Sequence, residues 1–379
     1  MQTSTQRKAT LTLQDGSTYT GWHFGATRQL AGEVVFNTAM NGYTESLTDP
    51  SYMGQILVMT YPMVGNYGVP AATRDEYDIP RYYESDGCLM RALIVNSYSP
   101  EYSHWNAEQS LGDFMAEQGV VGITGIDTRA LTKHLRDHGI QVGTITIEGE
   151  TSPIEPSIGD QNLVAQASCP EPRIYGSGDC HIALIDCGLK DNILRSLIDE
   201  RFTLHRVPWD YPLEQIEGLR GVFISNGPGS PTCCKETIRQ IQYAFERQLP
   251  TYGICMGNQL MALASGAKIY KMKYGNHGHN QPVRRVNSTQ CLITSQNHSY
   301  AVNSATLPQG WEEWYTNLND GTNEGLMHTD LPFRSVQFHP EAKGGPLDAL
   351  NFFSDFQDTV LNYPQLSKYC RRETVVIRR

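Results

Sequence analysis

Between residues 180 and 340 short apolar runs alternate with stretches of helical periodicity, and few architectures accommodate that order. His181-Ile182-Ala183-Leu184-Ile185 reads as a buried strand, and Cys187-Gly188 turns the chain into a helix with Ile193, Leu194, Leu197 and Ile198 on one face. Phe202 to Val207 and Gly221-Val222-Phe223-Ile224-Ser225 are further strands. Residues 235–248 form a helix carrying Ile238, Ile241 and Phe245, and Thr251-Tyr252-Gly253-Ile254 feeds into another helix through Leu263. Strands joined through helices predict right-handed β-α-β units, hence an α/β fold whose central, mostly parallel sheet is flanked by helices. Ligands bind beyond the carboxyl ends of such strands, so the turns after Ile185, Ser225, Ile254 and Phe338 are the places to look.

Unusual residues lie at those turns. Tyr252-Gly253-Ile254-Cys255-Met256-Gly257-Asn258-Gln259 sets a cysteine at a sharp strand-to-helix turn, with glycines two residues before and after it. Small neighbours permit the strained turn, and the helix start that follows favours negative charge on sulfur. Taken alone, a buried packing cysteine fits this pattern as well as a nucleophile does. Ser335-Val336-Gln337-Phe338-His339-Pro340-Glu341 follows 84 residues later. Its proline stops a strand, and His339 and Glu341, two apart, project from one side of an extended segment. Glu341 can orient the imidazole, and His339 can exchange protons with the thiol and with a leaving amine. Ser225-Asn226-Gly227-Pro228-Gly229 is a stiff loop after a strand; beside the elbow it can supply an oxyanion donor opposite the Met256 amide.

The first 150 residues read mainly as strands. Ala9 to Leu13 alternates, Asp15-Gly16 signals a hairpin, Gly32 to Phe36 and Gln55 to Met59 are apolar, and Asp127 or Thr128 caps a helix. The expected organisation is an α+β domain over 1–150, a turn-rich linker over 151–179, the α/β domain over 180–365 and a basic tail over 366–379. With 379 residues, 39% of them hydrophobic and 18% charged, the chain is an ordinary globular sequence with room for two or three domains. Its formal charge of -10 repels phosphate backbones, so nucleic acid is not an expected partner. No apolar run approaches ~18 residues, and no secretory h-region stands at the start, which points to a cytoplasmic protein with no membrane contact. The nine cysteines include no C-x-x-C, so most are expected as free thiols. No phosphate-binding G-x-x-x-x-G-K-[ST] or G-x-G-x-x-G occurs. His277, His279 and His298 have no Cys or carboxylate partner at ligand spacing, so no metal is expected.

Gly253-Ile254-Cys255-Met256-Gly257-Asn258-Gln259, Asn226-Gly227-Pro228-Gly229 and Phe338-His339-Pro340-Glu341, in this order, resemble the class I, triad-type glutamine amidotransferases. The resemblance extends to the glutaminase component of carbamoyl-phosphate synthetase through residues 271–282, 294–298, 32–38 and 42–52. It covers essentially the whole chain, and the first-domain match is its discriminating part. It implies that Cys255 attacks the side-chain amide of L-glutamine to form a thioester, with His339 as acid/base and Glu341 as its orienting partner. It places glutamine contacts on Ser51 (reaching over from the first domain), Gly227, Gly229, Met256, Gln259, Asn297, Ser299 and Tyr300. Gly227 and Met256 would be the oxyanion donors, and Lys190 would meet the substrate carboxylate.

The implied partner is a carbamoyl-phosphate synthetase large subunit or fused synthetase domain, docked on the first domain. No cofactor is expected in this chain; MgATP and bicarbonate belong to that partner. Residues 270–276 lean toward the fused, pyrimidine-type relatives, and the tail would then lead into the synthetase. Two departures stand out. Asn258 replaces the usual histidine of Gly-His-Gln, and Asn297-His298-Ser299-Tyr300 replaces Asn-His-Gly-Phe, where Ser299 is expected to restrict the backbone and weaken substrate binding. A stand-alone γ-glutamyl amide hydrolase and a non-catalytic regulatory module are the other readings.

Overall fold

The computed structural model describes residues 7–159, 161–341 and 343–363; the predicted basic tail over 366–379 lies outside them. The N-terminal strands close into a barrel. Its spatial order is Lys8–Leu13, Gln141–Ile147, Leu30–Asn37, Gln55–Met59, Ala92–Ile94, Val121–Thr124 and Thr18–Gly25, which pairs back with the first. Period-2 alternation sends Ala9, Leu11 and Leu13 inward, where they meet Val34, Ile56, Ile94, Ile123 and Ile145. Leu57 and Met59 point outward but are buried too, against Tyr43, Leu47 and Tyr52 of the connection that follows Asn37. That connection, which includes the helix Tyr43–Leu47 and the single turn Pro50–Tyr52, leaves the barrel toward the second unit. The expected α+β composition thus takes the form of a closed barrel, which leaves no open sheet edge.

The second unit is built on a ten-stranded sheet in the order Arg173–Tyr175, Phe202–Pro208, Cys180–Asp186, Leu219–Ile224, Thr251–Ile254, Phe333–Val336, Asn323–His328, Trp311–Asn317, Ile269–Arg285 and Cys291–Val302. The five strands from Phe202–Pro208 to Phe333–Val336 are parallel, as the strand–helix alternation requires, and the rest extend them antiparallel. The parallel strands are mostly apolar along their buried stretches because both faces are covered. Ile182, Leu184, Phe223 and Ile254 pack under Ile193, Leu197, Phe353 and Phe356, while Ala183, Ile185, Val222 and Ile224 face Ile241, Leu260 and Met261.

The predicted linker is more ordered than its turn-rich composition indicates. It contains the helix Leu163–Ala167 and the edge strand Arg173–Tyr175. Glu155 is clasped by Arg28 and Arg91 of the barrel at 3.0 and 2.7 Å. Elements of five and three residues are too short to show a period, so their stability comes from what they pack against. Among the described residues no helix is long and apolar enough to cross a membrane.

Candidate active site

The strand Thr251–Ile254 ends and the helix Met256–Ser265 begins with only Cys255 between them. Cys255 has φ 53° and ψ -100°, a conformation that costs a side chain of this kind ~1–3 kcal/mol. The cost is sustained because its amide is tied to the Val336 carbonyl at 2.8 Å and the Gly257 amide to Ser225 at 3.1 Å. A Cβ on Gly257 would lie 2.5 Å from the Ile224 carbonyl oxygen, so the close pass of helix over strand needs glycine there.

The turn after Phe333–Val336 brings His339 beside the elbow. Its amide bonds the Ser295 carbonyl at 2.8 Å, and its Nδ1 bonds Glu341 Oε1 at 2.7 Å. His339 Nε2 makes no conventional hydrogen bond, which leaves it to interact with the Cys255 sulfur. Burial opposes the imidazolium, but the Glu341 carboxylate and then the Cys255 sulfur outweigh it, and the pKa of His339 is raised to about 10. Burial also opposes charge on Glu341, yet Lys190, at 2.9 Å, and His339 hold it well below the usual carboxylate range.

Cys255 opens into a cavity of about 480 Å³ at the seam between barrel and sheet units. All eight residues expected to contact substrate line it: Ser51, Gly227, Gly229, Met256, Gln259, Asn297, Ser299 and Tyr300. Met256 is the first residue of its helix, so its amide has no helical acceptor, and neither it nor the Gly227 amide is engaged by another described group. The Gly227 position admits no side chain, since a Cβ would sit 2.1 Å from the Cys187 carbonyl oxygen. The barrel side of the wall is bonded to the sheet side. Asn226 Nδ2 donates to Ser51 Oγ at 2.9 Å, and Asn297 Nδ2 donates to Asp49 Oδ2 at 3.1 Å. Asn297 Oδ1 lies 2.8 Å from His277 Nδ1, whose ring burial keeps neutral by lowering its pKa to about 4.

Two family models match the chain. "Glutamine amidotransferase class-I" covers residues 183–359, and "Carbamoyl-phosphate synthase small chain, CPSase domain" covers residues 11–145. The carbamoyl phosphate synthase arginine-specific small chain of Aspergillus niger is 46% identical over 97% of this chain and 83% of its own length. The chain belongs to the carbamoyl-phosphate synthase small-chain family. Proteins of the same description from Neurospora crassa and Phaeosphaeria nodorum are 46% and 47% identical, each over 94% of this chain and over 81% and 76% of their own lengths.

Two expectations drawn from the family pattern change on the structure, and the place of a third departure becomes clear. Lys190 does not line the main cavity; it is buried behind the triad with its ammonium held by Glu341 Oε1 at 2.9 Å. Ser299 lies within the strand Cys291–Val302 and is not among the residues with positive φ, so it costs no backbone strain in place of glycine. Asn258 does not face the cavity. It is fully buried, donating to Gln337 Oε1 at 3.1 Å and accepting from Ser335 Oγ at 2.8 Å, a role in packing the helix on the sheet. Gln337 Oε1 also accepts from Gln259 Nε2 at 3.2 Å, which fixes a side chain of this helix that does reach the cavity. The three relatives are named arginine-specific, against the pyrimidine-type leaning of residues 270–276.

Sequence reasoning missed Asp49, Asn226 and His277 as members of the site. Asp49 carries a readable signal, an acid before Pro50-Ser51, and its Oδ1 does accept the Ser51 amide at 2.8 Å. Asn226 and His277 lie in segments that the sequence singles out, but their bonds to Ser51 and Asn297 could not be read there, because those partners are distant in the chain.

Proposed function

We propose that this chain hydrolyses L-glutamine to glutamate and ammonia and supplies the ammonia to a carbamoyl-phosphate synthase large chain. The observation that carries this reading is the Cys255–His339–Glu341 arrangement opening on one polar cavity, with His339 Nδ1 2.7 Å from Glu341. Cys255 sulfur attacks the side-chain amide carbon, and the carbonyl oxygen takes up negative charge against the amides of Gly227 and Met256. His339 gives its proton to the departing nitrogen, which leaves as ammonia. It then removes a proton from the water that cleaves the γ-glutamyl thioester, and glutamate and the free sulfur are restored. Glu341 stays ionised and keeps the imidazole in register.

Ammonia released into bulk water is protonated and lost as a nucleophile, so delivery across an interface suits this chemistry. The barrel unit is the docking surface in this reading, and MgATP and bicarbonate bind the partner. The arginine-specific naming of the relatives favours arginine synthesis as the destination of the carbamoyl phosphate. Eight described cysteines are free thiols, which fits a cytoplasmic site of action.

Glutamine hydrolysis by the full chain, alone and with a carbamoyl-phosphate synthase large chain, tests the reading. Slow hydrolysis that the large chain accelerates is the expected result, and Cys255→Ser should abolish it without altering the circular dichroism spectrum. A serine variant that still turned over glutamine would remove the triad assignment. Fast turnover indifferent to the large chain would instead identify a free-standing hydrolase.

A further inference from the structure

Behind the triad, ionisable side chains from both units are buried together, and hydrolysis as described does not use all of them. Glu84 belongs to the barrel unit, in the segment between Val69–Pro70 and Ala92–Ile94, and is 0% exposed. Its amide is held by Thr48 Oγ1 at 2.9 Å. Its carbonyl accepts from the Asp191 amide at 2.8 Å and its Oε2 from the Asn192 amide at 3.4 Å, so it engages the start of the helix Asp191–Leu197 twice. Lys343 Nζ lies 3.6 Å from Glu84 Oε1 and donates to the Arg81 carbonyl at 2.8 Å. The residues at that helix start grip Glu341 in turn: Lys190 Nζ reaches Oε1 at 2.9 Å, and Asn192 Nδ2 reaches the main-chain oxygen at 2.6 Å.

We propose that Glu84 is a positioning residue for the triad: it anchors the helix start that carries Lys190 and Asn192, shares its negative charge with Lys190, and so holds Glu341 against the His339 imidazole. The proposal rests on the triad being the catalytic centre. Burial opposes the charge on Lys190, and the carboxylates that sustain it are Glu341, Glu84 and Asp49, in that order. A buried cation answered by several carboxylates is shared among them, and removing one changes the field at the others. The charged groups acting on His339 from the surrounding elements are Glu341 and Cys255, with Lys190 and Asp49 beside its neighbour His279; on Glu84 itself burial pushes the carboxyl up, Lys190 and Lys343 favour its charge, and Glu341 and Asp49 oppose it.

Glu84→Gln keeps the side-chain shape and the acceptor for the Asn192 amide while deleting one negative charge. The surroundings of His339 become more positive, so its imidazolium is less favoured. The His339 titration, followed by NMR on carbon-labelled imidazole and identified by its loss in His339→Gln, should move down by about half a unit or more. The alkaline limb of kcat/KM for glutamine should move with it, kcat falling several-fold and KM staying near wild type. Glu84→Asp retains the charge and should leave the titration in place even if its melting temperature drops. A folded Glu84→Gln protein with an unmoved imidazole titration would overturn the proposal, as would equal losses of activity in both variants without a shift. Should Glu84→Gln fail to fold, Lys343→Met removes the opposing charge and should move the titration upward; no movement there would equally reject it. The imidazole is observed without turnover, so inactivity of the wild-type chain would count against the glutaminase reading alone.

Discussion

Cys255 sits at a backbone conformation that few side chains adopt, and neighbouring residues absorb the consequence. The nearest of these constraints on the reaction is Gly227, whose hydrogen faces the Cys187 carbonyl oxygen. Gly227→Ala would place a methyl group 2.1 Å from that oxygen, so the loop must move and the amide aimed at the substrate moves with it. Loss of one oxyanion donor costs about 10²–10³ in rate, and kcat for glutamine should fall by that order with the melting temperature less affected. His339 sets a pH dependence of stability. Its folded pKa is raised from 6.5 to about 10, so its contribution is complete below about pH 6.5 and disappears as pH rises through about 10. The wild-type chain should therefore lose melting temperature between neutral pH and pH 10 more steeply than His339→Gln. Buried thiols such as Cys187, raised by burial, give both proteins a common alkaline loss, and the difference between the two curves isolates the imidazole. Parallel curves would show that His339 is not held as an imidazolium.

Elements differ in how far their own residues specify them. The helix Thr128–His138 starts at Asp127, whose carboxylate accepts the Ala130 amide at 2.9 Å, and it buries Leu131 and Leu135 against the barrel. Asp127→Ala removes the cap from an exposed helix end, and urea denaturation should show a loss of about 1 kcal/mol with glutamine hydrolysis unchanged. The parallel strands of the second unit are equally self-evident, since burial on two faces demands continuous apolar runs. The hairpin Ile269–Arg285 with Cys291–Val302 is the contrary case. It carries His277, Asn297, Ser299 and Tyr300 into the cavity wall, yet its residues alternate poorly because parts of it face the barrel unit, parts the cavity and parts solvent. Short local pieces such as Leu163–Ala167 were equally hidden, because packing rather than propensity sustains them.

At the scale of the molecule, the cavity exists because two units meet. Asp49 works on both sides of the seam, accepting the Ser51 amide at 2.8 Å within the barrel unit and Asn297 Nδ2 at 3.1 Å from the other. Asp49→Ala releases both, so KM for glutamine should rise by at least about tenfold while Cys255 remains open to alkylation by iodoacetamide. An unchanged KM would mean that the seam does not shape the site. The sequence by itself determined the parallel α/β core, the cysteine elbow and the His339–Glu341 pair, because each is encoded by neighbours within a few positions and by the periodicity of burial; the residues now found around one cavity were named only through the family resemblance. The tertiary structure alone decided that the N-terminal strands close into a barrel, that Lys190 supports Glu341 rather than lining the main cavity, that Ser299 carries no strain, and that Glu84 and Asp49 stand behind the triad. Those outcomes depend on contacts between residues far apart in the chain, where charge and burial are set by which surfaces come together, and no local pattern records that.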